Sequence, residues 1–296
     1  MKSFDVIVIG AGHNGMTAAA VLAKSGRQVL VVEAADTVGG MARTTELAPG
    51  FRVSPVAHIL NKLDKRVIRA LDLRKHGFDH RQSAAQTVCL SSDGDHLTLT
   101  GAFGENVDGL PEAEKSAWAD LRKRLLFQAA LLARFDAETP MQPHDAGKLQ
   151  KLQLMKAAAR LKFAGNTELR QFLRMALMCV ADVVDESLKD DRLKGLLSFD
   201  ATLGIRLGPR SPTSLLGLYH KLASGAAGSQ IIPKGGMGAV MQTFHSAAKA
   251  AGVTFVMSTK VTEILLEAGV AKGVTTSTGE TFHAPCVISA LSPVTT

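Results

Sequence analysis

An apolar run, Asp5-Val6-Ile7-Val8-Ile9, leads straight into Gly10-Ala11-Gly12-His13-Asn14-Gly15 and an alanine-rich stretch, and this opening constrains the fold more than any other feature of the chain. A second apolar run, Gln28-Val29-Leu30-Val31-Val32, follows and ends in Glu33. Strand, glycine turn, helix, strand and acid in this order form a βαβ unit of the dinucleotide-binding kind. Each glycine has its own task. Gly10 turns the chain out of the strand, Gly12 keeps side-chain atoms away from a pyrophosphate, and Gly15 lets helix and strand approach closely. The phosphates then meet free N–H groups at the positive end of the helix dipole. Glu33, at the tip of the second strand, is placed to accept from a ribose hydroxyl and would repel the 2′-phosphate of NADP. His13 and Asn14 are read as polar residues of the first helical turn, and Asn14 joins the candidate contact set.

Beyond Glu33, the segment Asp36-Thr37-Val38-Gly39-Gly40-Met41-Ala42-Arg43-Thr44 offers a second close approach of backbone to cofactor and a guanidinium fork for phosphate. The same residues would also make an ordinary turn with a solvated arginine, and spacing alone leaves both readings open.

Together, Gly10 to Ala19, Glu33 and Gly39 to Thr44 resemble the N-terminus of an FAD-dependent oxidoreductase of the phytoene desaturase type. Two later segments share the resemblance, Gly208-Pro209-Arg210-Ser211-Pro212 and Ile232-Pro233-Lys234-Gly235-Gly236-Met237-Gly238-Ala239-Val240. The resemblance implies FAD as cofactor, with Gly39, Gly40 and Arg43 passing the pyrophosphate and flavin, and the strand holding Val261 pairing with adenine through its backbone. It implies hydride transfer between a substrate C–H bond, lipophilic or polyene, and flavin, with quinone or oxygen as electron acceptor. In such chemistry the protein positions its reactants and excludes water, so the sequence yields no catalytic acid or base. His58 and His220 are read as core or surface histidines. Family members continue past the segment matching Val287 to Pro293, so the expectation is a flavin pocket lacking one side, with exposed apolar surface and a tendency to self-associate. Rival readings are an NAD-dependent dehydrogenase, disfavoured by the glycine pair with Arg43 and by the long insertion, and a non-catalytic nucleotide-binding or interaction protein.

Cys89, Cys179 and Cys286 are too scattered for a redox dithiol or a zinc site and read as buried thiols in a reducing compartment, with no metal expected. No apolar run reaches membrane-spanning length, and the first strand begins at Phe4, which leads to an expectation of a cytoplasmic protein, or by resemblance a mitochondrial matrix one in a eukaryote. The net charge of +7 gathers in two stretches, Lys62 to Arg81 and Lys148 to Arg170. These read as helices with solvated basic faces whose interleaved Leu149, Leu152, Leu161 and Phe163 are core; the sharper alternative is contact with an anionic membrane. Nucleic acid is not expected, because no recognised module appears.

Periodicity fills in the rest. The expected fold class is α/β, a doubly wound Rossmann-like FAD/NAD(P)-binding domain, 1–75 and 226–296, interrupted by a mostly helical substrate domain, 76–225. A turn at Ala48-Pro49-Gly50, a strand Phe51-Arg52-Val53 and a helix from Lys65 to Leu73 precede a hairpin about Asp93-Gly94-Asp95. Helices are expected at about 111–136, 146–163, 167–179 and 185–197, and then at 237–251. Strands at Val253 to Met257, Val261 to Leu266, Val270 to Thr275 and Cys286 to Ala290 close the pattern.

Overall fold

The computed structural model of the protein describes residues 3–61, 63–79, 85–133, 147–163, 165–223 and 228–296. The chain divides into two compact units, Met1–Ser83 with Ile231–Thr296, and Ala84–Gln230.

The first unit opens with β1 (Val6–Ile9), α1 (His13–Lys24) and β2 (Val29–Val32). A 3-10 turn, Gly40–Ala42, leads to the hairpin β3 (Thr45–Ala48) and β4 (Phe51–Val53) and a short helix α2 (Lys65–Ala70), and a second 3-10 turn follows at Leu73–His76. The second unit begins with the antiparallel sheet β5 (Thr87–Cys89), β6 (Leu97–Thr100) and β7 (Asn106–Asp108). Among the described residues six helices follow: α3 (Glu112–Leu132), α4 (Lys148–Phe163), α5 (Asn166–Met175), α6 (Val180–Ser187), α7 (Asp191–Thr202) and α8 (Leu215–Leu222). The first unit resumes with α9 (Gly236–Ala250), β8 (Thr254–Val256), β9 (Val261–Glu267), β10 (Val270–Thr276), β11 (Thr281–His283) and β12 (Cys286–Ser289).

Four parallel strands in the order β12-β1-β2-β8 make the central sheet. Every residue of β1 and β2 is buried, which is why both read as unbroken apolar runs. The pleat sends alternate side chains to opposite faces. Val6, Val8, Val29 and Val31 pack with Met16, Ala19 and Ala20 of α1 and with Val240, Phe244 and Ala247 of α9. Ile7, Ile9, Leu30 and Val32 pack instead on Val274, Phe282 and Ala284. Helices therefore cover one face of the sheet, and the antiparallel sheet β11-β10-β9 covers the other. The small residues of α1 allow its close seating.

The helical unit has its own core, in which Trp118, Leu121 and Leu125 of α3 meet Leu193 and Leu197 of α7 and Leu215, Leu218 and Tyr219 of α8. Gln128 and Tyr219 are buried within it, and the Tyr219 hydroxyl donates to Gln128 Oε1. Burial pushes the Tyr219 phenol well above its ordinary range. Asp190 caps α7, accepting from the N–H groups of Arg192 and Leu193 at 2.9 and 3.1 Å, and the Arg192 guanidinium holds its carboxyl below the usual range.

Three expectations are corrected. The stretch 185–197 is two helices, because Leu188 is extended (φ −130°, ψ 155°) and Asp190 starts a new N-cap. Leu152 and Phe163, read as core, are exposed on α4. Of the cysteines read as buried, only Cys179 is; Cys89 is half-buried, and Cys286 is exposed because β12 is a sheet edge. All three are free thiols. The last residues of the helix expected at 111–136, with Lys62 and Arg81 of the first basic stretch, lie outside the described residues.

Candidate dinucleotide site

The turn from β1 to α1 carries the site. Gly10 has φ +97° and donates its N–H to Val32 O at 2.8 Å, tying the turn to the second strand. Gly15 is packed so closely that a Cβ there would lie 2.1 Å from Gly10 O and 3.1 Å from the Ala290 Cβ. Gly12 differs. It is the N-cap of α1 in extended conformation, no side chain caps the helix, and a Cβ built on it meets nothing within 4 Å. Gly15 is thus glycine for packing, whereas at Gly12 the space a side chain would fill is open and the first-turn N–H groups face it. No acid lies in that first turn, and no side chain of the N-cap residue takes up its N–H groups. That is the arrangement a pyrophosphate requires.

The second glycine turn joins the first. Gly39, at φ +118°, donates its N–H to Ala11 O at 2.9 Å, and Ala42 N–H returns to Gly39 O at 2.9 Å. A Cβ on Gly39 would stand 2.9 Å from Met241 Cγ, and one on Gly40 only 3.5 Å from Gly12 Cα. Gly40 therefore packs beside Gly12, whose own side-chain position stays open. Arg43 is exposed beside them, as are His13 and Asn14 in the first turn of α1.

Glu33 closes the other side. Its Oε2 accepts from Ala11 N–H at 2.6 Å and its Oε1 from Ala35 N–H at 2.9 Å, so the carboxylate spans the exits of β1 and β2. Both oxygens keep lone-pair capacity for a ribose hydroxyl. The segment 256–259 runs alongside: Glu33 N–H donates to Val256 O, Ser258 N–H to Ala35 O and Thr259 N–H to Glu33 O, all at 2.8–2.9 Å. Val261 follows at the start of β9, an edge strand of its sheet. An edge position leaves one side of the backbone unpaired, which is what pairing with a base would need.

Sequence reasoning missed the residues that hold this frame in place. Thr44 Oγ1 accepts from Gly238 N–H at 2.9 Å and Ser54 Oγ from Met237 N–H at 3.2 Å, so two hydroxyls cap α9. A Cβ on Gly238 would come within 2.8 Å of Thr44, which explains that glycine as packing. No local spacing could reveal these contacts, since the partners lie almost two hundred positions apart. The Gly208-Pro209-Arg210-Ser211-Pro212 segment belongs to the helical unit. Pro209 O accepts from Ala181 N–H and from the Ser214 hydroxyl, both at 3.1 Å, and Ser214 Oγ accepts from Val180 N–H at 2.9 Å. The segment thereby caps α6 and borders an open cleft of about 590 Å³ with Lys194, Gly195 and Ser198 of α7. His58 is exposed in the first unit and His220 exposed in the second. Among the described residues no group of histidine, cysteine and acidic side chains could hold a metal ion.

The model of the family described as flavin containing amine oxidoreductase matches residues 15–295. The chain is similar to pyridine nucleotide-disulfide oxidoreductase domain-containing protein 2 of Mus musculus, at 30% identity over 99% of this chain and 54% of that protein. It is 38% identical over 111 residues to one component of the limonene dehydrogenase of Castellaniella defragrans, covering 37% of this chain and 20% of that one. Among solved structures it is similar to wild-type putrescine oxidase bound to putrescine, with TM-score 0.61 and 20% identity over 99% of this chain and 59% of that one. The chain spans about half the length of the mouse relative.

Proposed function

Since the chain belongs to the flavin-containing amine oxidoreductase family, we propose that it holds FAD along the β1–α1 turn and takes part in oxidoreduction of a small, lipophilic substrate. The open side-chain position of Gly12, with Gly40 beside it, at an uncapped helix N-terminus carries this reading: it leaves bare backbone, free N–H groups and a helix dipole where a pyrophosphate would lie. The residues present fit the group. Gly12 and the first-turn N–H groups of α1 would bind the phosphates, Arg43 would add a cation, Glu33 would accept from ribose, and the Val261 backbone would meet adenine. When bound, a flavin supplies the acceptor for a hydride from a substrate C–H bond, with quinone or oxygen taking the electrons onward. The protein's own share is to orient the cofactor and to exclude water.

A lipophilic substrate is favoured over a polar amine for two reasons. The 38% identity over 111 residues is to a protein named for limonene, and the phytoene desaturase-type motifs span Gly10 to Thr44. The likeness to putrescine oxidase, at 20% identity, speaks to fold alone. The test is anaerobic reduction of the FAD-loaded protein, monitored by loss of yellow colour, with a terpene and with putrescine in parallel. Bleaching by the terpene alone is expected. Bleaching by putrescine alone would overturn the substrate class, and a colourless protein that binds NADH in preference to FAD would overturn the cofactor.

A further inference from the structure

Residues 148–174 hold seven lysines and arginines against one acid, Glu168, in a chain whose whole net charge is +7. They form α4 and α5, which pack against each other. On α4, Lys151, Met155, Ala158 and Lys162 recur at helical steps along one stripe, and Leu152, Lys156, Ala159 and Phe163 along the next. Met155 is 68% exposed, Leu152 45% and Phe163 89%. Lys151, Lys156 and Lys162 are exposed among them, and no carboxylate among the described residues pairs with any of the three. On α5, Arg170, Leu173 and Arg174 share a face that continues to Leu177 in the following turn; Leu173 and Leu177 are exposed, and Arg174 pairs with Glu186.

Large apolar side chains so exposed are unfavourable in water, and lysines interleaved with them are unsuited to a buried protein core. One environment accepts both. At the surface of an anionic bilayer, leucine, methionine and phenylalanine enter the acyl boundary while lysine stems lie along it and their ammonium groups reach the headgroups. A nucleic acid would match the charge and leave Leu152, Met155 and Phe163 in water. We infer that α4, with the exposed Arg170, Leu173 and Leu177 of α5 and the turn after it, is a peripheral docking surface for anionic lipid membrane. The charge complementarity selects the lipid, and the exposed apolar residues select a bilayer over a soluble polyanion. This inference does not depend on the cofactor reading.

The experiment uses the whole chain and phosphatidylcholine vesicles with and without phosphatidylserine. Co-sedimentation is expected with the anionic vesicles at low salt and not with phosphatidylcholine alone. Each basic residue near such a surface is worth roughly a fivefold change in partitioning, so the triple variant Lys151→Gln, Lys156→Gln, Lys162→Gln should bind about a hundredfold more weakly. Phe163→Trp supplies a second readout, because the single natural tryptophan, Trp118, is buried in the helical core. Its emission should shift to the blue on adding anionic vesicles. Unchanged binding by the triple variant, no blue shift with the protein on vesicles, or binding to a single-stranded oligonucleotide without binding to vesicles would each overturn the assignment. All substitutions lie at exposed positions, and the thermal melt should stay that of the wild type.

Discussion

Gly12→Ala and Gly15→Ala, three residues apart in one fingerprint, should fail in opposite ways. At Gly15 an added methyl would lie 2.1 Å from Gly10 O. Ordinary contact needs over an ångström more, so α1 must move off β1. Overpacking of this kind costs about 3 kcal/mol, which in a unit of this size lowers the melting temperature by about 6–12 °C. At Gly12 the methyl meets nothing within 4 Å, and the backbone angles, φ −73° and ψ 172°, suit alanine. A small loss of N-cap preference is offset by the reduced entropy of the unfolded chain, leaving stability within about 1 kcal/mol of wild type. The methyl nevertheless occupies the approach of the pyrophosphate. Losing one charge-assisted hydrogen bond of about 1.5–3 kcal/mol weakens FAD binding roughly 10- to 150-fold. Thermal melts with flavin titration of both variants separate the two effects. A Gly12→Ala protein that binds FAD like wild type would show that the phosphates lie elsewhere, and an undiminished melting temperature for Gly15→Ala would refute the close packing of α1 on β1.

Other expectations are as direct. Glu33→Ala should lose affinity for FAD and narrow the preference over NADP, which placing a 2′-phosphate against the carboxylate sets at roughly 1 kcal/mol or more; competition binding with both nucleotides reads this out. Tyr219→Phe should cost about 1–2 kcal/mol by leaving the buried Gln128 amide oxygen unpaired, measured by urea unfolding. Because the folded-state Tyr219 pKa is raised, its contribution is complete below the unfolded value near 10 and falls as pH rises through it, a decline the variant should lack. Asp190, held low by Arg192, acts at the other end: its contribution is present above about pH 4 and lost as pH falls below that, and Asp190→Asn should flatten this acid limb.

Local rules made the βαβ unit legible. Gly10, Gly12, Gly15 and Glu33 are recognisable because a strand period, a helix period and a turn dictate their spacing within thirty residues. The second glycine turn could be located but not joined to the first, since the contact between Gly40 and Gly12 belongs to tertiary structure. The same holds for Thr44 and Ser54 capping α9. Elsewhere the signal was present and outweighed. Leu215, Leu218, Tyr219 and Leu222 have the spacing of a helix face and form α8, which was not among the expected helices. Asp190 and Asp191 mark a helix start, which the expectation of one helix over 185–197 passed over. Leu152 and Phe163 obeyed the periodicity of a core residue and proved exposed, because periodicity identifies a face and not what covers it.

The central claim, that the β1–α1 turn with Glu33 grips the ADP half of FAD, is tested most directly by comparing FAD with FMN in one titration. FMN carries the same ring and lacks the pyrophosphate linkage and adenosine that the site is built to hold. The account predicts FAD binding that ADP competes away, and FMN binding far weaker. FMN binding as tightly as FAD, untouched by ADP, would contradict it.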